Sequence, residues 1–327
     1  ELREMLTYYK EQGALPMSVD DAVTMMKPNY DNYCFSENKL ADCMFNSDMV
    51  LYCMKSLILH GVKPKEIVDP NIRTDFNKLA YLVRLDHGLG ENFSVIKEIA
   101  EQGEIVTEIV THFSALEMTD VGNFKSLLFY FGLLSIKGVD MMGRPILHIP
   151  NLVVREQLFN FLIQGYARHD IFKLDVNRLR TLFENMSFKG DWKPLFEFLA
   201  EAIREQSRIR EYIEGEAHIK GFLLAYLSMF RYYQLYPEYE MNKGFADFFF
   251  KPSPAAPVSP PYTYLLEVKY AKAGASEKEI RALADDAREQ LIRYSKDECV
   301  AEAREKGGLK LATIVWRSWE LVLMEEV

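Results

Sequence analysis

Asp247, Glu267 and Lys269 are the residues whose types and spacing point to chemistry. Phe245 to Phe250 reads as a strand carrying one acid, Asp247, and Tyr262 to Tyr270 as a second strand carrying Glu267 and Lys269. Side chains alternate faces along a strand, so Glu267 and Lys269 share one face while Leu266 and Val268 turn to the other, into a core. An acid beside a lysine, with a second acid on the preceding strand, can hold one divalent cation and aim a phosphate at it. A Glu-x-Lys pattern also serves as a solvated face or a cross-strand ion pair. The setting favours a site: Phe248, Phe249 and Phe250 follow the first acid, and Tyr264, Leu265 and Leu266 precede the second. Charge kept among such residues is costly unless it is paired.

These strands need elements around them. Between them lies Lys251–Pro261, with five prolines in eleven residues (Pro252, Pro254, Pro257, Pro260, Pro261), which reads as a surface loop. After the second strand, Ser276 with Glu279 three positions on makes a capping box and opens a helix to about Lys296. Gly307-Gly308 ends a short helix, and Lys310–Trp316 and Glu320–Met324 read as closing strands. Upstream come helices near Val176–Met186 and Lys193–Arg210 and a longer one from Tyr212 to about Phe230. From that long helix on, the order is helix, strand, strand, strand, helix, strand, strand, which is α/β in class.

The first part reads as mostly helical. Helices are expected over residues 2–13, from Ser18 to just before Pro28, from the Asn46-Ser47-Asp48 cap to about His60, and over 71–85 and 92–100. Gly103–Phe113 is β-branched and reads as strand. An apolar helix over 121–134, strands near Ser135–Val139 and Ile146–Ile149 with Gly143 in the turn, and a helix from Leu152 to about Gln164 give the outline of a winged-helix unit. Residues 165–172 read as a hinge, which divides the chain into 1–167 and 168–327.

Apolar residues make up 49% of the 327, enough for a substantial core. No apolar run is long enough to cross a bilayer, so no membrane partner is expected. The opening ELREML lacks an initiator methionine, as a fragment or a processed start would. Cys34, Cys43, Cys53 and Cys299 form no CxxC pair and read as free thiols of a reducing compartment, the cytoplasm. The six histidines are scattered, which excludes a zinc motif of the HExxH kind. A net charge of −9 argues against non-specific grip on nucleic acid. That charge is uneven: residues 1–167 hold 15 Lys+Arg against 22 Asp+Glu, and residues 168–327 hold 24 against 26.

Four more residues join the first set: Glu216, Glu240, Gln290 and Tyr294. Glu216 opens the long helix and has Lys220 as an i+4 partner, Glu240 lies just before Asp247, and Gln290 shares a helix face with Tyr294. A helix with Glu, an Asp strand, a Glu-x-Lys strand and a helix with Gln together resemble the PD-(D/E)XK nuclease superfamily. The pieces are GEAHIKGFLLAYL (Gly215–Leu227), EMNKGFAD (Glu240–Asp247), YLLEVKY (Tyr264–Tyr270) and AREQLIRY (Ala287–Tyr294). They look especially like the nuclease-like domain that follows an AAA-ATPase-like domain in many bacterial proteins. YDNYCFS (Tyr30–Ser36), FNSDMVLYCMKS (Phe45–Ser56) and FYFGLLSIK (Phe129–Lys137) resemble the tail of that ATPase-like domain more loosely. The chain departs from the pattern at Ala246, where a proline usually precedes the Asp, and in the long Asp247–Glu267 gap.

The resemblance implies a restriction-endonuclease-like α/β domain with a central mixed sheet flanked by helices, behind a helical, winged-helix-like first part. It implies metal-dependent phosphodiester cleavage of DNA in preference to RNA, coupled to an ATPase-like domain upstream. Asp247 and Glu267 would bind Mg²⁺ or Mn²⁺, with the Val268 carbonyl as a third ligand. Lys269 would orient the attacking water or stabilise developing charge. Glu216 would hold a second metal or its water, Gln290 would position the phosphate or the lysine, and Glu240 would at most orient Lys243. The competing readings are a regulatory binding module that keeps the nuclease fold without cutting, and an accessory part of a transport or signalling ATPase. No GxxxxGK[ST] occurs in the sequence, so no phosphate loop is present. Calorimetry of this chain with ATP is expected to show no micromolar binding; such binding would overturn the idea that the nucleotide portion lies upstream.

Overall fold

Helices of this chain start where a short polar side chain accepts the first free backbone N–H. Ser18 Oγ accepts from Asp21 N, Asn46 Oδ1 from Met49 N, and Asp175 from Asn177 N and Arg178 N. Ser276 Oγ accepts from Glu279 N while Glu279 accepts from Ser276 N, the capping box expected there. The structure, a computed structural model, describes residues 1–64, 67–69, 91–114, 117–118, 120–210, 213–254, 256 and 258–327. The helix expected over 71–85 lies outside them.

The chain divides into two units, Glu1–Leu162 and Ile163–Val327. The first unit contains helices α1 (Leu2–Glu11), α2 (Val19–Tyr30), α3 (Ser47–His60), α4 (Glu91–Gln102) and α5 (Val121–Tyr130), followed by α6 (Leu152–Arg168), which runs past the division. Its antiparallel sheet has the order β1 (Glu104–Val106), β3 (Pro145–His148), β2 (Ser135–Val139). Helix, hairpin and helix follow one another as the sequence suggests, with β1 added on β3.

Four expectations for these segments need correction. Helix α2 continues through Pro28 to Tyr30. Proline removes an N–H donor from the last turn, but Asn29 Nδ2 donates to the Met25 carbonyl and the buried Tyr30 donates its hydroxyl to the Ile67 carbonyl. The strand expected over Gly103–Phe113 is confined to Glu104–Val106, because its partner β3 offers only four residues and starts at a proline. Beyond it, Val110 N takes the Ser126 hydroxyl instead of a strand. Residues 165–168, read as the start of a hinge, continue helix α6, and Ile171 and Phe172 are buried. Phe172 is held edge-on against Phe222 and Tyr226. The helix expected over Lys193–Arg210 breaks at Gln206, whose side chain pairs with the Lys173 backbone N–H and C=O.

In the second unit, α7 (Val176–Lys189), α8 (Lys193–Glu205) and α9 (Glu216–Leu227) precede a mixed sheet of order β4-β5-β6-β7-β8. The strands are β4 (Tyr233–Met241), β5 (Gly244–Pro252), β6 (Thr263–Ala271), β7 (Leu309–Arg317) and β8 (Glu320–Glu326). Lys251 and Pro252 thus belong to β5 rather than to the proline loop. The β4–β5 hairpin closes on Asn242 and Lys243, both at positive φ (32° and 67°), as a tight two-residue turn requires. Strands β6 and β7 are parallel and need a crossover, supplied by α10 (Glu277–Tyr294).

Helix α10 covers one face of the sheet. Its Leu291 and Tyr294 pack with Phe249 and Leu265, and its Ile280 and Ala284 with Ala271 and Val315. On the opposite face, Tyr264 lies against Tyr233 and Phe250 and donates its hydroxyl to the Met186 carbonyl of α7 at 2.6 Å. Among the described residues, no helix is long and apolar enough to cross a membrane. All four cysteines are free thiols.

Gly308 marks where β7 meets β6. Its carbonyl accepts from Thr263 N, and a Cβ there would overlap the Pro261 carbonyl oxygen. Because the obstacle is backbone, it cannot swing aside. Gly308→Ala is expected to cost about 1–3 kcal/mol of unfolding free energy, the range of an overpacked site, measured by urea denaturation.

Candidate active site

The site begins where the β5–β6 ladder ends. Backbone pairing runs from Phe250↔Tyr264 to Phe248↔Leu266, and the next position in that register places Asp247 opposite Glu267. There the carboxylates stand in for backbone acceptors. Asp247 N donates to Glu267 Oε1 at 3.2 Å, and Val268 N donates to Asp247 Oδ2 at 2.8 Å. Both acids are almost wholly buried, at 4% and 1% exposure. Buried carboxylates require donors, and each also has a lysine.

Lys269 Nζ donates to Glu267 Oε2 at 2.8 Å and to Gln290 Oε1 at 3.1 Å. Glu267 and Lys269 therefore share one face of β6, and α10 brings Gln290 to that face. The second lysine comes from α9. Lys220 Nζ lies 2.5 Å from Asp247 Oδ1, 2.8 Å from Glu216 and 3.1 Å from Glu238. Beyond its first turn α9 is buried from Gly221 to Leu227. That apolar stretch anchors the helix, while Glu216 and Lys220 project from its first turns to the acids.

Of the residues singled out from sequence, Asp247, Glu267, Lys269, Glu216 and Gln290 come together. Val268 takes part through its N–H on Asp247. Glu240 does not join them; it is exposed on β4, opposite Phe245, and Lys243 is in the hairpin turn. Tyr294, four residues from Gln290, is a core residue packed with Met241, Ala246 and Phe249. Helix α9 begins at Glu216 with Gly215 as its N-cap; the expected start at Tyr212 lies outside the described residues.

Lys220 and Glu238 escaped the sequence reading as members of the cluster. Glu238 falls between the pairs Pro237↔Phe248 and Tyr239↔Ala246, across from Asp247, with a left-handed backbone at φ 46°. A non-glycine residue held there is uncommon, and such strain tends to gather at functional positions. Both had a signal. Lys220 is the one lysine or arginine in a helix that is apolar from Gly221 to Leu227, and an Asn-Lys turn fixes a register that puts Glu238 across from Asp247.

Burial pushes the Glu267 carboxyl up, to about 7, with the neighbouring Asp247 adding to the rise; Lys269 opposes it. For Lys269 burial works against the charge, but Glu267, and then Asp247 and Glu216, outweigh it and hold the ammonium more firmly. Lys220 behaves alike: burial opposes its charge, and Asp247 leads the carboxylates that more than offset this.

Residues 214–326 match the family model described as PD-(D/E)XK nuclease superfamily. No curated protein matches the chain. The matched segment contains every residue of the cluster, from Glu216 to Gln290. It also contains the five-stranded mixed sheet flanked by helices, a restriction-endonuclease-like fold.

The donor set fits a hard divalent cation. Among the described residues no group of three or more His, Cys, Asp or Glu side chains is arranged to hold a metal. Mg²⁺, however, is commonly bound by one or two carboxylates with waters and substrate phosphate completing its shell. Asp247 and Glu267 supply two carboxylates. Thr313, in register with Glu267 on β7, is fully buried and keeps a hydroxyl without a hydrogen-bond partner, a polar contact for water beside the acids.

The raised Glu267 carboxyl carries a pH signature. A carboxyl with its folded pKa above its ordinary value adds stability below about 4.5, and that stability is lost as pH climbs through about 7. Glu101 titrates upward in the same window, so wild type alone mixes two groups. The difference in unfolding free energy between wild type and Glu267→Gln isolates one. It is expected to shift in favour of the variant between about pH 5 and 8, by at most about 1.4 kcal/mol per pH unit. A flat difference across denaturation curves at several pH values would refute the assignment.

Proposed function

We propose that the second unit cleaves phosphodiester bonds of nucleic acid, DNA in preference to RNA, using Mg²⁺ or Mn²⁺ held by Asp247 and Glu267. The supporting observation is the pair of buried acids in register at the end of the β5–β6 ladder, with Lys269 fixed between Glu267 and Gln290. When bound, the cation lowers the pKa of its water and polarises the phosphate. Lys269 presents a positive charge fixed in direction by two acceptors, suited to charge that grows on the phosphate in the transition state. Gln290 holds that lysine, and Val268 N holds Asp247 in the orientation that keeps it facing Glu267. Glu216, about two-fifths exposed, stands on the open side of the cluster, placed to take a metal-bound water. In the full-length protein we place this activity under an ATPase-like domain upstream, as the resemblance of the first unit suggests.

Three proteins test the reading, each with and without Mg²⁺, in melting scans and in nicking assays on DNA and RNA. Wild type is expected to melt higher with the cation and to cut, by mass action on the folded state. Asp247→Asn should lose most of the melting shift. Lys269→Ala should keep the shift and lose about a hundredfold or more in cleavage rate, the usual effect of removing one transition-state charge partner. A wild type with neither a metal-dependent shift nor cleavage would leave the non-cutting regulatory module as the function of this fold.

A further inference from the structure

Lys220 is not part of the chemistry described above, yet it makes more carboxylate contacts than any other cation of the cluster. Its ammonium touches Asp247, Glu216 and Glu238 at 2.5, 2.8 and 3.1 Å. The three acids differ in exposure: Asp247 is buried, while the Glu216 and Glu238 side chains are 42% and 59% exposed. Asp247 Oδ2 is already occupied by Val268 N, so Lys220 sits on the oxygen that remains, Oδ1. A divalent cation and an ammonium cannot share one carboxylate oxygen at contact distance without strong repulsion. Glu216 and Glu238 lie on the open side of the same ammonium and can keep it paired once it leaves Asp247.

We infer that Lys220 is a built-in competitor for the cation position at Asp247, so that loading a divalent metal requires this ammonium to move onto Glu216 and Glu238. This rests on the reading of Asp247 as a metal ligand and concerns what keeps that position filled before metal arrives. The left-handed backbone of Glu238 fits the role, since it aims an exposed carboxylate at the lysine from the strand facing Asp247. Two consequences follow. Charge is balanced at the buried acids without metal, and metal affinity is set below what Asp247 and Glu267 alone would give.

Mn²⁺ titration calorimetry on the whole 327-residue chain tests this with wild type, Lys220→Gln, Lys220→Arg and Asp247→Asn. Lys220→Gln keeps a hydrogen-bond donor and removes the charge, and is expected to bind Mn²⁺ about tenfold more tightly, equivalent to about 1.4 kcal/mol. Lys220→Arg keeps the charge and should match wild type. Equal or weaker binding by Lys220→Gln, while Asp247→Asn still abolishes binding, would overturn the competitor role and leave Lys220 as a clamp on Asp247. Binding that is absent from wild type, or that survives Asp247→Asn, sinks the metal reading itself and the competitor with it. Melting scans cover a folding defect. Without metal Lys220→Gln should melt below wild type, because Asp247 loses its cation, and Mn²⁺ should raise its melting temperature more than it raises that of wild type. A variant that stays unfolded with and without Mn²⁺ counts against the inference.

Discussion

Two carboxylates buried side by side, Asp247 and Glu267, impose the constraint on which the second unit depends. Each taken from water loses solvation, and as neighbours they repel. The fold answers with a specific set of donors. The backbone of the opposite strand supplies one N–H to each acid, and a lysine closes each remaining oxygen. The ladder must stop at Phe248↔Leu266 for this to happen, since continued backbone pairing would use the donors that the carboxylates need. Local loss of sheet pairing and the pairing of the two buried acids are one feature.

The remaining elements keep that arrangement in place. Helix α10 is both the crossover that parallel β6 and β7 require and the carrier of Gln290, so topology and chemistry share one helix. Its apolar side, through Leu291 and Tyr294, fixes it on the sheet at the height of Lys269. Helix α9 is anchored by a buried stretch and spends only its first turns on polar contacts. The Asn242-Lys243 turn sets the β4–β5 register, and with it the place of Glu238.

A site built this way is balanced before any ligand arrives: two buried acids face two lysines. Lys269 belongs with Glu267 and stays on the strand that carries both. Lys220 belongs to a different element and has two more exposed acids within reach. The two lysine pairs thus differ in the alternatives open to the ammonium: Lys220 has other carboxylates beside it, Lys269 has Gln290.

Much of the site was legible in the sequence, for a local reason. Alternation along β6 alone puts Glu267 and Lys269 on one face, helical spacing alone puts Gln290 and Tyr294 on another, and apolar neighbours mark the charges as buried. The capping box at Ser276 is likewise written in adjacent residues. What the tertiary structure decided involves partners far apart in the chain. Only folding shows that Gln290 meets Lys269 while Tyr294 turns into the core. Only folding brings Lys220 to Asp247 and turns a helical i+4 pair into a cluster of three acids around one ammonium. Helix α2 outlasts Pro28 because Tyr30 is held at Ile67, and the β-branched run after Gly103 is mostly not strand because β3 is too short to pair with it. Spacing fixes which side chains share a face. Which faces meet depends on long-range burial and hydrogen bonding, whose energies no local pattern contains.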